Sequence, residues 1–508
     1  MFVVASANSV PDGSLLAAID LGSNSFHLIV ARLEHGEIKP VHMLGERVQL
    51  GAGLERGRLA PDAMDRGLDC LARFAQLLES MDLAGVRVVG TNALRQAKNR
   101  REFTRAAEKL LGVPVDVVYG REEARLIYLG VAHTLADDEA SRLVVDIGGG
   151  STEFIVGKRF EPQRLVSLQL GCVSYAQMFF PEGIITSKNF KRAYEHALVE
   201  VSRIKKHYRA QHWAEAVGSS GTLQAIELLV QHAGWLENGI DRKSLEKLRK
   251  KLLKYQHADE IDLEGLNDKR KHVITAGVAI AMAIFDGLAI EIMRTSKGAL
   301  REGLIYDLVG RLSHEDVRER SIAAMVSRYG ADEGASQLVS DRLIWLAQSV
   351  KSAWGLDDSQ IELAAWAGRC HEIGTAISQK HYHHHSAYLI ENTDMPGFSQ
   401  DEQEIMAVFL RGQRGKIAAD LLSTVADESR DSLGKLTALL RIAVMFKWSE
   451  STEDFDSLSA VPEKNKIVIY VPLGWRKRHP LTLWEIKTSK SILAKLGVTV
   501  TLRNKRDN

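Results

Sequence analysis

Apolar and polar residues follow two periods along the chain, one typical of strands and one typical of helices. Residues 15–33 and 142–159 each hold two apolar runs separated by a polar turn that contains glycine, which predicts two strand–turn–strand hairpins. Between these hairpins, residues 61–81 place apolar side chains at helical spacing. This succession of strands and helices predicts an α/β fold.

The two hairpins belong to a longer internal repeat. Residues 20–30, DLGSNSFHLIV, match residues 146–156, DIGGGSTEFIV, at an offset of 126, and VVGTNALR matches AVGSSGTL at an offset of 128. Two matches at nearly the same offset predict a duplicated domain whose halves face each other across a cleft. We predict a disordered tail at residues 1–13 rather than a signal peptide, a first lobe at 14–125 and a second lobe at 126–310.

The pattern changes after residue 310, where long helical segments dominate. Strand patterns return at residues 466–473 and 497–503, around a helical stretch at 484–497. We therefore predict an all-helical domain at 311–448 and a small α/β domain at 449–508. The apolar run at 273–285 is too short to cross a bilayer, so we interpret it as a buried helix.

Composition excludes few functions. The 66 Lys and Arg residues balance the 65 Asp and Glu residues, so net charge indicates no partner and no nucleic acid is predicted. The three cysteines are far apart, which argues against a disulfide framework or a cysteine zinc site and suits a reducing cytoplasm.

The repeated turns have a chemical use. A glycine turn exposes backbone N–H groups that can cradle phosphate oxygens, whereas a carboxylate at the strand end can hold Mg²⁺ and the ion can bridge to the phosphate. Asp146 and Glu153 flank the second turn and could serve one ion. A single turn of this kind is more often a plain hairpin, but the doubled pattern favours a clamp on a phosphate chain.

These residues resemble the exopolyphosphatase/guanosine pentaphosphate phosphatase family, within the superfamily of actin, sugar kinases and large heat-shock chaperones. The segments that carry the resemblance are DLGSNSFHLIVAR, GTNALRQAKN, GREEARLIYLGV, DIGGGSTEF, GCVSYAQMFFP, GSSGTLQAI and GALREGLIYDL. The resemblance implies duplicated actin-like (ribonuclease H-like) lobes, a helical domain similar to HD-type phosphohydrolases and the small terminal α/β domain. It also implies phosphoanhydride hydrolysis.

The resemblance also implies a set of site residues. It assigns the general base to Glu123, although the sequence pattern alone places both Glu122 and Glu123 in the first turn of a helix and does not separate them. The implied metal ligands are Asp146, Glu153 and Asp20. The implied phosphate-binding residues are Asn24, Arg95, Gly148, Gly149 and Ser151, with further contacts from Thr152, Ser219 and Ser220.

Two further patterns lie outside this set. His371-Glu372 stands where HD-type enzymes carry a metal-binding His-Asp pair, but no clear distal Asp appears near residues 439–450, which argues against a second metal site. The histidine run at 381–385 is either a metal-binding group or a polar loop or a set of donors for a polyanion. Residues 243–255 carry six Lys or Arg residues, and residues 475–479 add more. These basic clusters predict a path for a long anion or, taken alone, a solvated helix face.

The function expected first is an exopolyphosphatase that releases orthophosphate from the end of inorganic polyphosphate through water activated by a glutamate. The alternative is a guanosine pentaphosphate phosphohydrolase, and a nonhydrolytic ATP-binding scaffold is a third reading that Glu123, Asp146 and Glu153 argue against. The resemblance implies Mg²⁺, with K⁺ as a second cation, and a homodimer. We expect a cytoplasmic protein, with peripheral attachment to the inner membrane left open.

Overall fold

The structure is a computed structural model that describes residues 10–135, 140–312, 316–425, 427–448 and 457–505. These residues belong to two compact units, Met1–Asp316 and Val317–Asn508. Part of the predicted tail, residues 1–9, and the start of the predicted terminal domain, residues 449–456, lie outside the described residues.

The first unit contains thirteen described strands and eleven described helices. The strands are β1 (Leu15–Leu21), β2 (Ser25–Glu34), β3 (Glu37–Arg47), β4 (Leu54–Glu55), β5 (Arg58–Leu59), β6 (Leu83–Gly90), β7 (Val115–Val117), β8 (Ser141–Ile147), β9 (Thr152–Lys158), β10 (Glu161–Leu168), β11 (Glu215–Gly218), β12 (Ile240–Asp241) and β13 (Ile292–Thr295). The helices are α1 (Pro61–Glu79), α2 (Asn92–Gln96), α3 (Arg100–Leu111), α4 (Gly120–Ala132), α5 (Cys172–Phe179), α6 (Ser187–Ser202), α7 (Lys205–Tyr208), α8 (Gly221–His232), α9 (Arg242–Leu252), α10 (Lys271–Leu288) and α11 (Leu300–Leu312).

The two large sheets of this unit repeat one topology. The first has the order β3-β2-β1-β6-β7 and the second the order β10-β9-β8-β11-β13-β12. In each, an antiparallel hairpin joins a strand that runs parallel to the hairpin's first strand, β6 beside β1 and β11 beside β8. The hairpins and parallel strands are the segments that the sequence repeat aligns, so the duplication is visible in the fold.

The helices that follow each half cross to the other half. Helix α4 packs on β8, β9 and β10 of the second sheet, whereas α11 packs on β1, β2 and β6 of the first, and the two helices pack on each other. One apolar cluster accordingly joins residues of both sheets with residues of both helices. The predicted boundaries 125/126 and 310/311 fall inside these two crossing helices, and they stay predictions.

Helix α10 is the buried helix predicted from the apolar run at 273–285. It extends past Asp286 because that carboxylate lies at the periphery, where it accepts hydrogen bonds from Tyr194 Oη (2.8 Å) and Arg242 Nε (2.7 Å). Among the described residues, Asp268–Leu288 is one segment that by length and composition alone could cross a membrane. Its apolar window is 83% buried within the protein, as expected for the core helix of a lobe.

The second unit is mainly helical. Its helices are α12 (Val317–Arg328), α13 (Glu333–Trp354), α14 (Asp358–Arg369), α15 (Tyr382–Asn392), α16 (Gln400–Gly412), α17 (Arg430–Met445), α18 (Trp475–Arg478) and α19 (Pro480–Lys495), and its strands are β14 (Ser459–Glu463), β15 (Lys466–Val471) and β16 (Thr499–Asn504).

The strands of the second unit form one sheet, β14-β15-β16, in which β15 and β16 are parallel. The sequence predicted the last two strands and the helix between them. Buried residues of this sheet, such as Ile467, Ile469 and Val500, belong to the same apolar cluster as residues of α13, α14, α16 and α17. The sheet therefore completes the core of the helices, and the boundary at 448/449 stays a prediction.

The crossing of α4 and α11 gives a test of the fold. A Cβ atom added at Gly303 would lie 1.8 Å from the Leu126 carbonyl oxygen and 3.1 Å from the Gly130 nitrogen, so the backbones would have to separate. We expect Gly303→Ala to lower the free energy of unfolding of the first unit by about 2–3 kcal/mol, measured by urea titration.

The matched control is Gly334→Ala in α13. The atom nearest to its added Cβ is the Asp332 carboxylate oxygen, at 3.4 Å, so we expect a change within about 0.5 kcal/mol. Equal effects of the two substitutions would contradict the close contact of α4 and α11.

Candidate active site

The two glycine turns line one cavity of about 240 Å³. The turn after β1 contributes Gly22, Ser23 and Asn24, and the turn after β8 contributes Gly148–Ser151. The turns also touch, because a Cβ atom at Gly149 would lie 3.0 Å from Ser23 Cβ and 3.3 Å from the Asn24 nitrogen. Glycine is needed there for this close approach of two backbones. The structure thus brings together Asn24, Gly148, Gly149 and Ser151, four of the five residues predicted to bind phosphate.

The hairpins place acidic residues at equivalent positions. Asp20 of β1 pairs with His27 of β2, and Asp146 of β8 pairs with Glu153 of β9. The repeat therefore keeps the carboxylate of the first strand in both halves, whereas the second strand carries His27 in one half and Glu153 in the other. His27 Nδ1 lies 3.7 Å from Asp20 Oδ2.

Glu123 joins these carboxylates from the first turn of α4. Asp20, Asp146 and Glu123 line the cavity, and Glu153 is buried next to them, 1% exposed. Burial raises the pKa of Asp146 to about 7, with further raising by Glu123 and Asp20. Burial, and then the negative charges of Glu123 and Asp146, raise the pKa of Glu153 well above its ordinary value.

Glu123 is held by a basic residue. Burial raises the pKa of Glu123, and the charge and hydrogen bond of Arg95 act in the opposite direction. Arg95 Nη1 donates to Glu123 Oε2 (3.1 Å) and to the Val118 carbonyl oxygen (2.8 Å), while its Nη2 is buried without a hydrogen-bond partner. Arg95, which the sequence predicted to bind phosphate, therefore orients the Glu123 carboxylate, and its Nη2 group is still unpaired.

Glu122, which the sequence pattern could not separate from Glu123, has a different environment. Its two carboxylate oxygens accept from Arg125 at 2.8 Å each, and Arg125 also pairs with the buried Asp307. Burial alone would raise the pKa of Asp307, but Arg125, Arg87 and Arg311 hold it below the usual range. Glu122 thus belongs to a buried ion network, and Glu123 is the glutamate that lines the cavity.

The three hydroxyl residues predicted to add phosphate contacts, Ser219, Ser220 and Thr152, differ in whether they line the cavity. Ser219 and Ser220 line the cavity, where Ser219 Oγ donates to the Gly298 carbonyl oxygen and Ser220 Oγ accepts from the Leu223 nitrogen at the start of α8. Thr152 is fully buried and its Oγ1 donates to the Leu170 carbonyl oxygen, so its hydroxyl supports the turn. The Gly148 N–H donates to the Ser151 carbonyl oxygen within the turn itself.

Sequence reasoning missed the basic side of the cavity. Arg270, Lys297 and Arg301 all line it. Gly221 makes room for Arg270, since a Cβ atom there would lie 2.0 Å from Arg270 Nη2. Lys297 precedes, and Arg301 lies within, the GALREG segment that supported the family resemblance, a signal that could have identified them. Nothing in the pattern around Arg270 distinguishes it from a surface arginine.

The carboxylates fit a divalent cation that shares its shell with water and substrate. Asp20 Oδ1 is buried without a hydrogen-bond partner, and three neighbouring carboxyl groups, Glu123, Asp146 and Glu153, have raised pKa values because they are buried and lie near other carboxylates. Mg²⁺ typically binds one or two protein carboxylates and keeps several waters. Within the described residues, no group of three or more His, Cys, Asp or Glu side chains forms a preassembled metal cage.

The His371-Glu372 pair of the second unit makes contacts within the protein. Lys447 Nζ donates to Glu372 Oε1 at 2.6 Å, and His371 Nδ1 lies 2.8 Å from the Gly368 carbonyl oxygen. One carboxylate oxygen of Glu372 and one ring nitrogen of His371 are thus already paired within the protein.

Comparisons with known proteins agree with this architecture. Residues 29–312 match the model of the Ppx/GppA phosphatase family, and residues 317–490 match the model of Ppx/GppA phosphatase, domain III. The chain is 35% identical over 489 residues to a protein of Photobacterium profundum named guanosine-5′-triphosphate,3′-diphosphate pyrophosphatase, covering 96% of this chain and 97% of the relative. It is 36% identical over 484 residues to a protein of that name from Aliivibrio fischeri, covering 95% and 97%.

Solved structures are similar to the first part of the chain. The crystal structure of the Aquifex aeolicus member of the Ppx/GppA family is 28% identical, with a TM-score of 0.51, and covers 59% of this chain and 98% of its own. An exopolyphosphatase from Cytophaga hutchinsonii has a TM-score of 0.54 at 23% identity, covers 59% and 98%, and supports the fold alone. The chain therefore belongs to the Ppx/GppA phosphatase family, with actin-like lobes and a helical C-terminal part, and is a hydrolase of phosphoanhydrides.

Proposed function

We propose that this chain hydrolyses the terminal 5′ phosphoanhydride of guanosine-5′-triphosphate,3′-diphosphate and releases orthophosphate. The observation that carries the proposal is the identity of 35–36% over almost the full length of relatives with that substrate in their name. The sequence analysis placed exopolyphosphatase first and guanosine pentaphosphate phosphohydrolase second. This proposal reverses that order, and exopolyphosphatase becomes the second candidate.

The cavity supports the chemistry. A buried carboxylate with a raised pKa accepts a proton near neutral pH better than an ordinary glutamate does, which suits Glu123 as general base. In the proposed step, water forms a bond to the terminal phosphorus and gives its proton to Glu123, and the bridging oxygen leaves with the remaining nucleotide. Arg95 keeps the Glu123 carboxylate in one orientation.

The substrate anion needs both sides of the cavity. Its phosphates carry charge that Arg270, Lys297 and Arg301 can offset, while Asn24 and the second glycine turn offer uncharged polar groups. Asp146, with Asp20 and Glu153, would hold Mg²⁺ directly or through water. When bound, that ion neutralises charge that develops on the phosphoryl oxygens. K⁺, a homodimer and a cytoplasmic location stay predictions.

Polyphosphate remains the second candidate because of one surface. On α9 and just after it, Lys243, Lys247, Lys250, Lys251 and Lys254 take part in none of the ion pairs among the described residues. Lys247 and Lys251 lie over the ring of Trp235, at 5.6 and 4.8 Å from its centroid. Five such lysines could bind a long anion, and this binding would weaken with salt.

The first test compares the two adjacent glutamates. We expect Glu123→Gln to lower kcat by roughly 10²–10⁴-fold with substrate binding retained, because the amide cannot accept the proton. Phosphate release from guanosine-5′-triphosphate,3′-diphosphate and from long-chain polyphosphate is measured in parallel on each variant. A wild type that turns over only polyphosphate would refute the proposed substrate, and full activity of Glu123→Gln would remove Glu123 from the base role.

The control is Glu122→Gln. It leaves the buried Arg125 with a weaker partner, so we expect a loss of about 3 kcal/mol in the free energy of unfolding. The molecules that remain folded should keep nearly normal kcat. A catalytic defect as large as that of Glu123→Gln would contradict the separation of the two side chains.

The second test concerns the pH profile. The base acts deprotonated, so turnover falls as pH decreases through its pKa, and Arg95 lowers that pKa. We expect Arg95→Gln to move the acid limb of the kcat–pH profile to higher pH, with partial recovery of kcat in alkaline solution. Arg95→Lys, which keeps the charge, should move the limb less. An unchanged limb in Arg95→Gln would show that Arg95 acts on substrate rather than through Glu123.

A further inference from the structure

A second cluster of charged and hydrogen-bonding side chains lies entirely within the second unit. It comes from the segment after α14, the start of α15, the end of α16 and its following loop, and α17 with the residues just after it. We call it the histidine–arginine cluster, and its members are His371, Glu372, His383, Gln413, Arg414, Arg441 and Lys447.

Contacts tie these segments together. Gln413 Nε2 donates to the His371 carbonyl oxygen at 2.9 Å. Arg441 donates through Nη1 to the Gly412 carbonyl oxygen (3.1 Å) and through Nη2 to that of Gly415 (2.8 Å). Gly415 in turn stands against the ring of His383, since a Cβ atom there would lie 3.1 Å from His383 Nε2. The cluster is therefore held by backbone contacts, independent of any ligand.

Several polar atoms of this assembly are buried without a hydrogen-bond partner. They are His371 Nε2, His383 Nδ1, Arg441 Nε and Gln413 Oε1, on residues that are at most 5% exposed. An unsatisfied buried polar group costs about 1–3 kcal/mol, so several at one place indicate that something supplies the missing partners. Arg441 Nε is a donor and His383 Nδ1 can be one in the matching tautomer. His371 Nε2 and Gln413 Oε1 are acceptors, because the His371 proton lies on Nδ1 beside the Gly368 carbonyl oxygen, and these two atoms can pair only with an O–H group of a ligand.

The field at the cluster is positive. The positively charged side chains near the cluster, Arg414, Arg441 and Lys447, outnumber the negatively charged ones, Glu372 and Glu485. Lys447 is already paired with Glu372. Burial lowers the pKa of Arg441 to about 10, with Arg414 adding to the effect. Burial also lowers the pKa of His383 to about 4, followed by the positive charges of neighbouring histidines, Arg414 and Arg441.

Helix α15 adds to this field. It begins at Tyr382, and its preceding residue His381 provides no side-chain cap, so the positive end of the helix dipole lies beside His383 in the first turn. A cation would be repelled here, whereas an anion with several oxygens would meet donors from three segments. A planar guanidinium and clustered N–H donors match phosphate in particular.

We propose that the histidine–arginine cluster is a second phosphate-binding site, which takes orthophosphate or the terminal phosphate of a nucleotide. The site does not depend on which phosphoanhydride the first unit hydrolyses. Since orthophosphate is the product of that hydrolysis, the ligand of the second site would accumulate as the reaction proceeds.

The experiment observes the cluster itself in the full-length chain. Histidine side chains are labelled with ¹³C, and the resonances of His371 and His383 are assigned by their loss in His371→Gln and His383→Gln. Inorganic phosphate is titrated in one arm and guanosine 5′-diphosphate,3′-diphosphate in the other. Both resonances should shift with saturation below about 20 mM, and tighter binding of the nucleotide would identify a nucleotide phosphate as the ligand.

The test variant is Arg414→Gln and the matched control is Lys416→Gln. Both residues are exposed and lie in the same loop, so neither change is expected to unfold the unit. We expect Arg414→Gln to weaken phosphate binding roughly tenfold or more through loss of one charge-assisted hydrogen bond, and Lys416→Gln to leave it unchanged. No shift of either resonance with both ligands, or equal dissociation constants for the two variants, would overturn the proposal.

Discussion

The central constraint of this molecule is the burial of like charges. Asp20, Glu123, Asp146 and Glu153 come from both halves of the duplicated unit and meet where little water reaches them. Taking carboxylates out of water beside one another is costly, and burial raises the pKa values of Glu123, Asp146 and Glu153. Arg95 offsets only part of it. The lobes are therefore arranged around negative charge that a bound cation would offset, beside Arg270, Lys297 and Arg301, which a phosphate chain would offset.

Much of this arrangement could be predicted from the sequence because it depends on local pattern. The hairpins follow from alternating apolar residues and glycine turns, and the repeat at an offset of 126 indicated that Asp20 and Asp146 occupy equivalent positions. Side chains that reach the site from distant segments left no such pattern. Arg270 precedes a buried helix and contacts the cavity only because Gly221 leaves space for it, a relation that no window of sequence contains.

The choice between Glu122 and Glu123 illustrates the same limit. Both occupy the first turn of α4, and the one local difference is Arg125, which lies three positions after Glu122, where Glu123 has Leu126. They differ in which distant segment each one meets. Glu122 belongs to an ion network with Arg125 and with Asp307, which lies 182 residues beyond Arg125. Glu123 instead contacts Arg95, which follows a strand of the first sheet. Likewise, the histidines of the second unit were visible as a run, but the pairing of Glu372 with Lys447 was not.

The contact between Gly130 and Gly303 restricts how the two halves can move. Where two helices touch backbone to backbone, no side chain lies between them that could change rotamer to let one slide past the other. Rotation about the crossing point keeps the contact intact. The cleft should therefore open for substrate by a hinge rotation about this crossing point, and shear between the lobes should be suppressed.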